Sequence, residues 1–400
     1  MSLLSIRVYA SGRTPASLLL EASIVLLGSA FLAAALFMNH AWVDRHFLPE
    51  FFRDHALNLR SVLILRIGLV ALGVATITLL RRWAARATAR LGALSILMAA
   101  APSLLALVLA VAVSEIIVRT AAWRVAAEAP KTPEPQLQAD PRLGWRFTPG
   151  RVGYWIKGGR RIAYAIDAGG RRAASPSSRP DMNCPTIVFA GESIIAGVGL
   201  QWPETIPAQV GQRLGVQSVS VAVNGFATDQ AYMRLKDQLP RFHRPLAVVM
   251  LFSPALFWKN LQVDRPHFGP GLVWQPARPT LRLAEIAHRA VPYLSDAEIE
   301  AGVQMTRAVL RATLADARAR GAEGVILTPV FTPEEPGAVA LRRRILDQGG
   351  IPYLLVPLDQ TWRIQGDGHP DPRGARVVGE AVAARLKPHI PPNSACRSGS

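Results

Sequence analysis

The sequence of 400 residues predicts an α/β domain built on a parallel sheet and preceded by three transmembrane helices. Three observations carry that expectation. The first 120 residues contain three long apolar runs, the rest alternates short apolar strands with amphipathic helices, and two chemically suggestive turns sit at the ends of such strands. Half of the residues are apolar and only 18% are charged, below the roughly 25% usual for soluble domains. That much apolar surface excludes a disordered chain, and no short repeat points to a fibrous one.

The apolar runs come first. Ala22 to Met38 carries no charge and is extended by Ser17 to Leu20 across Glu21; Ser61 to Leu80 holds only Arg66; Leu91 to Ser114 contains Pro102. A hydrocarbon core of about 30 Å takes about 20 helical residues, and each run is near that length. No small-residue cleavage site follows Met38, so a cleaved signal peptide is not expected. Arg7 and Arg13 precede the first run, and Arg81, Arg82, Arg86 and Arg90 crowd the loop between the second and third. In the other loop Asp44, Glu50 and Asp54 dilute Arg45, Arg53 and Arg60. The positive-inside rule then makes the N-terminus cytoplasmic and everything after Arg119 periplasmic or otherwise extracytoplasmic, on a multi-pass protein of the inner (plasma) membrane. Arg66, close to the outer end of its span, is expected to snorkel to the interface. The net charge of +17 admits a nucleic-acid surface or a membrane protein's topology signals. An outward-facing domain without basic–aromatic interleaving favours the membrane, with no nucleic acid.

The expected layout is a membrane domain at 1–120, a linker at 121–140, an α/β domain at 141–390 and a mobile tail at 391–400. The linker reads as an extended spacer from Ala129-Pro130-Lys131-Thr132-Pro133-Glu134-Pro135. Leu143 to Phe147 and Arg161 to Asp167 alternate apolar and polar residues between Gly158-Gly159 and Gly169-Gly170, the pattern of a small antiparallel lead-in. Strands are expected at 186–190, 216–223, 246–252, 324–329 and 353–356, and helices at 204–214, 229–239, 297–320, 339–348 and 374–386. This alternation argues for a parallel sheet with helices on both faces, whose ligands bind at the carboxyl ends of strands.

Those ends hold the chemistry. After the first strand comes Gly191-Glu192-Ser193, a serine in a strand-to-helix turn, where the helix start stabilises developing negative charge. A serine needs a base at neutral pH. His369, in Gly366-Asp367-Gly368-His369-Pro370-Asp371 before the last helix, is the best candidate, with Asp367 to orient it and Asp371 as the alternative. Either motif alone is weak, since a G-x-S turn often caps a helix and Asp-Gly and His-Pro are ordinary turn material. Their joint occurrence at strand ends of one domain is much stronger.

These residues resemble the SGNH (GDSL-type) hydrolases. Ile187-Val188-Phe189-Ala190-Gly191-Glu192-Ser193 is similar to the first block, Asn224-Gly225-Phe226-Ala227-Thr228-Asp229-Gln230 to the second, and Asp367-Gly368-His369-Pro370 to the last. Lys259-Asn260 and Arg265 to Phe268 match the loop that often follows the third strand. The resemblance spans roughly 140–388. It implies a three-layer flavodoxin-like fold and hydrolysis or transfer of acyl esters on lipid or glycan, with Ser193 as nucleophile, His369 as base and Asp367 as orienter. There are departures. Glu192 stands for the usual aspartate, and the Asp–His spacing is D-x-H, as in enzymes similar to the alginate O-acetyltransferases. Ala255 occupies the place of the asparagine that donates to the oxyanion. Ala222 falls near the second-block glycine, leaving its backbone N–H, with Asn224, Gly225 and Ser253 as the remaining binding candidates. Losing one such donor typically costs about 10²–10³ in rate, so a non-catalytic glycan- or protein-binding member of the fold is the alternative.

His243 and His267 read as surface histidines, and with His369 they show no metal-ligand spacing, so neither metal nor cofactor is expected. Trp258 and Trp274 flank the site region as pocket or packing residues. Cys184 and Cys396 exclude a disulfide-dense scaffold and leave one possible pairing.

Overall fold

A helix that is apolar all round has no face to offer water. α1 (Pro15–Phe37) is of this kind, started by Pro15 and capped by Thr14, whose hydroxyl accepts from the Ser17 N–H at 3.2 Å. The structure, a computed structural model, describes residues 14–38, 42, 45–46, 55–88, 93–128, 137–278, 281–290 and 293–392. The chain divides into two units, one made of the helices near the N-terminus together with a segment at 281–292, and the other containing the α/β domain.

In the helical unit, α2 (His55–Ala75) runs on through a π-turn at Thr76–Leu80 into Arg81–Thr88, and α3 (Ala93–Glu128) is 36 residues long with Pro102 inside it. Among the described residues two stretches, Pro15–Phe37 and Val62–Thr88, rather than the three expected, are long and apolar enough to cross a membrane. From Ala93 on, the third expected run lies within α3, where Leu104, Leu107, Leu109 and Val111 are exposed; residues 91–92 lie outside the described residues. α1 and α2 approach backbone to backbone: a Cβ on Gly73 would fall 2.9 Å from the Gly28 carbonyl oxygen, so only small residues fit the crossing. Arg66, expected to snorkel, reaches the end of α1. Its Nε donates to the Ala35 carbonyl at 2.8 Å, one of the last-turn oxygens of α1 that has no helical donor. Glu21, the acid inside the first run, is buried and pairs with Arg81 at 3.4 Å.

The other unit begins with two small antiparallel sheets rather than one. β1 (Leu137–Asp140) pairs with β2 (Gly144–Phe147). β3 (Val152–Lys157), β4 (Arg160–Ile166) and β5 (Arg172–Ala173) form the second. Gly158 and Gly159 both have positive φ, as a two-residue hairpin turn requires. Of the expected linker, residues 121–128 are the end of α3 and 137–140 are β1, while 129–136 lie outside the described residues. The tail from 393 lies outside them too, and with it Cys396, the possible partner of Cys184.

Strand and helix then alternate: β6 (Thr186–Ala190), α4 (Ser193–Ala196), α5 (Ile206–Leu214), β7 (Gln217–Ser220), α6 (Thr228–Gln238) and β8 (Pro245–Leu251). A hairpin of β9 (His267–Gly269) and β10 (Val273–Gln275) follows. α7 (Arg282–Ala290) belongs to the helical unit, and α8 (Asp296–Ala319), β11 (Glu323–Thr332), α9 (Pro336–Arg342), β12 (Leu354–Asp359) and α10 (Pro372–Leu386) complete the domain. The five strands of the central sheet pair in the order β7-β6-β8-β11-β12, every pair parallel. Numbered along the chain this is 2-1-3-4-5, a doubly wound sheet whose order reverses between β6 and β8. α5 packs with α10 and α6 with α8 against it, giving the three layers expected. β6 is buried along its whole length, which is why it reads as a continuous apolar run rather than an alternating one.

Part of the basic charge lies inside this domain. Arg172 is buried and donates to the carbonyls of Ala196, Gly197 and Leu200; Arg234 is buried and donates to those of Val221 and Gly170. Burial pulls each guanidinium down to about 10. These arginines satisfy loop carbonyls that no strand or helix pairs, so the domain's positive charge does not all face a membrane surface.

Candidate active site

The reversal between β6 and β8 opens the crevice in which ligands of such sheets bind, and the Ser193 turn lies there. β6 ends at Ala190, and Gly191 (φ +155°) passes so close to β8 that a Cβ would fall 2.8 Å from the Leu251 Cβ. Glu192 caps the next helix, its Oε1 accepting from the Ile194 N–H at 3.1 Å. Ser193 is therefore the first residue of α4, and its own N–H is among those with no helical acceptor.

The second arm starts further away. β12 lies three strands from β6, roughly 14 Å at about 4.8 Å per strand. The loop after it must run back over the ends of β11 and β8. It is held by its own pairing: Ile364 N–H to the His369 carbonyl (2.8 Å), Asp371 N–H to that of Trp362 (2.9 Å), and an antiparallel bridge between Arg363 and Pro370. That folding explains the tight D-x-H spacing, because Asp367 sits in the turn and His369 on the returning limb.

The two arms meet. His369 Nε2 lies 2.8 Å from Ser193 Oγ, and His369 Nδ1 bonds Asp367 Oδ1. With the Nδ1 proton directed at Asp367, Nε2 is an acceptor for the serine proton. The other oxygen of Asp367 accepts from Lys157 Nζ at 2.5 Å. The His369 hydrogen bond, aided by Lys157 and opposed by burial, holds the Asp367 carboxyl well below the usual carboxylate range. Asp371, the alternative orienter, instead caps α10, its carboxylate accepting from the N–H groups of Arg373 and Gly374.

The serine hydroxyl has a second acceptor, Glu192 Oε2, which also accepts from Lys259 Nζ at 3.1 Å. Glu192 and Lys259 are both buried. Burial pushes the Glu192 carboxyl up, but Lys259, His369 and the bonds from Ser193 and Ile194 outweigh it and keep the group below its ordinary value. One hydroxyl proton thus has two acceptors, and nucleophilic attack requires that it pass to His369.

The other sequence-derived residues are distributed around this centre. Ala222 is buried two residues past β7; its neighbours Val221 and Val223 donate to the carbonyls of Phe189 and Gly191, so by alternation along the extended chain its own N–H points away from β6. Asn224 accepts from Trp145 Nε1 at its backbone carbonyl, and its buried Oδ1 has no partner among the described residues. Gly225 (φ +79°) gives its carbonyl to Arg265 at 2.8 Å. Ser253 begins the turn after β8 and, with Ala255, borders a cavity of about 950 Å³ that His369 and Asp367 also line. Arg363 lines it as well, stacked 3.6 Å above the Phe331 ring. Trp258 and Trp274 are not among its lining residues. His243 and His267 bond Asn183 and the Arg265 carbonyl, and among the described residues no three His, Cys, Asp or Glu gather as a metal site.

Two site residues carried no role in the sequence reading. Lys259 appeared there only within a matched loop, and Lys157, just before the Gly158-Gly159 turn, did not appear at all. A buried lysine after β8 and a hairpin lysine 210 residues from its partner share no local pattern with the motifs they serve.

No family model matches the chain, and no curated protein matches it. Among solved structures the chain is similar to an acetyl xylan esterase from the rumen bacterium Butyrivibrio proteoclasticus (9% identity, 53% of this chain and 65% of that one, TM-score 0.33). It is similar also to a psychrotrophic esterase from Pseudoalteromonas sp. (14%, 51% and 97%, TM-score 0.31) and to a GDSL-like lipase from Bacteroides thetaiotaomicron (12%, 53% and 93%, TM-score 0.32). Likeness at this level carries no argument about the chemistry, which rests on the geometry of the site.

Proposed function

We propose that the chain is a membrane-tethered serine esterase of SGNH type, acting on acyl esters of lipid or glycan in the cell envelope. The observation that carries this reading is the contact between His369 Nε2 and Ser193 Oγ at 2.8 Å, with Asp367 on the far nitrogen of the same ring. His369 accepts the Ser193 proton as Oγ attacks the ester carbonyl. Asp367 holds the imidazole in the required tautomer and stabilises its cation. The negative charge on the carbonyl oxygen develops beside the start of α4. Collapse expels the alcohol, which takes the proton from His369, and leaves an acyl-serine. Water, or an acceptor hydroxyl in a transferase, then repeats the sequence in reverse with His369 again as base.

The tether is the helical unit. Its outward side chains, among them Leu19, Leu26, Leu36, Ile64, Leu105 and Ile117, are large, apolar and at least half exposed, which suits lipid and not water. The reading takes α3 as a third crossing and places the domain outside the cytoplasm by the arginine rule.

The test is activity of the full chain in detergent. Wild type should hydrolyse p-nitrophenyl acetate and be labelled by a fluorophosphonate at Ser193. Ser193→Ala should abolish labelling, and His369→Ala should lower turnover at least about 10³-fold. One observation favours a second reading, in which the fold binds an acylated glycan without cleaving it: Ala255 offers no side-chain donor to an oxyanion. Wild type that neither turns over nor labels, while binding acetylated glycan, would establish that alternative.

A further inference from the structure

We propose that Lys157, at the end of β3 in the β3-β4-β5 sheet, is a positioning residue for Asp367; this rests on the esterase reading. The small sheet touches both arms of the site. On the Asp–His arm, Lys157, the last residue of β3, donates to Asp367 Oδ2 at 2.5 Å. The hairpin turn after it packs on the same loop, since a Cβ on Gly158 would lie 3.2 Å from Ile364 Cγ2 and 3.6 Å from the Gln365 nitrogen. On the serine arm, the Tyr164 hydroxyl of β4 accepts from the Gly199 N–H at 3.0 Å. Arg172 of β5 binds three carbonyls between Ala196 and Leu200. The arms also meet each other here, for a Cβ on Gly199 would fall 2.1 Å from Ile364 Cδ1.

The physical need is rotational. The terminal torsion of an aspartate is broad, so a carboxylate held by one bond to a histidine can turn away from it. An ammonium on the second oxygen fixes the plane and keeps the first oxygen on Nδ1. Lys157 is partly exposed, with 35% of its side chain accessible. Asp367, at 9%, is nearly buried, but a lysine that stays hydrated is screened by solvent, so the contact acts first on orientation.

The experiment compares full-length Lys157→Met, Lys157→Arg and Ile156→Thr in detergent, the last altering an exposed residue of the same strand. Lys157→Met should lower kcat for p-nitrophenyl acetate by up to about 10²-fold with KM within about twofold, as expected for a misplaced catalytic group. It should slow phosphonate labelling of Ser193 by a similar factor at an unchanged melting temperature. Lys157→Arg should restore most of the rate, and Ile156→Thr should match wild type. Wild-type kcat in Lys157→Met, or a loss that follows the melting temperature and is not rescued by arginine, would overturn the proposal. Silence of the wild type in both assays would instead overturn the esterase reading beneath it.

Discussion

Glu192 is the residue at which the site departs most from a bare Ser-His-Asp arrangement. Its carboxylate is buried, shares the serine hydroxyl with His369 and is neutralised by Lys259. Removing one partner of a buried pair leaves an uncompensated charge, at a cost of about 3–5 kcal/mol, whereas removing both is far milder. Lys259→Met should therefore lower the denaturant midpoint markedly, and Glu192→Gln with Lys259→Met should recover most of the loss. A single variant as stable as wild type would mean that the pair is solvated. Asp367 sets an acid limit. Its folded-state carboxyl is depressed, so its contribution is complete above the ordinary aspartate range near 3.9 and is lost as pH falls toward the folded value. Asp367→Asn should flatten the acid side of the stability profile, measured by urea unfolding at successive pH values. At this scale the meeting of Ser193 and His369 was legible, because each sits in a short turn with its own signature. Lys157 and Lys259 were not, because what recruits them is proximity in the fold.

Elements show the opposite sign of pH dependence. Asp229, in the first turn of α6, is buried, and burial raises it to about 6 against the bonds that it accepts from the Phe268 and Gln230 N–H groups. Between about 4 and about 6 the folded protein retains a proton that the unfolded chain has released, so stability falls as pH rises through that window. Asp229→Asn should remove this slope, and its persistence in the variant would exclude Asp229 as the source. The strands of the parallel sheet were readable as apolar runs because both of their faces are covered, as at β6. β1 and β3 were not, since Leu137 and Ile156 are exposed and no apolar alternation marks either strand. The hydrogen bonds of partner strands pair them, with Trp155 of β3 against Tyr164 of β4.

For the whole molecule the question is topology. A reporter that is active only outside the cytoplasm should work when fused after residue 392 and fail when inserted in the Arg81–Arg90 segment; the reverse pattern would invert the proposed orientation. The first 120 residues hold eleven arginines against five acids, and four of those arginines lie in that one segment. The positive charge of the α/β domain divides differently, with Arg172 and Arg234 spent on internal carbonyls. Composition and periodicity determined that the chain carries membrane-length apolar helices and a parallel α/β domain with a serine turn and an Asp–His turn, because burial on one or two faces leaves a repeat in the sequence. Only the tertiary structure decided that Asp367 rather than Asp371 faces His369, that Glu192 shares the serine, and that lysines 67 and 210 residues distant neutralise the two carboxylates. Ion pairs between segments far apart in the chain depend on where the backbone returns, and no local pattern of residues records that.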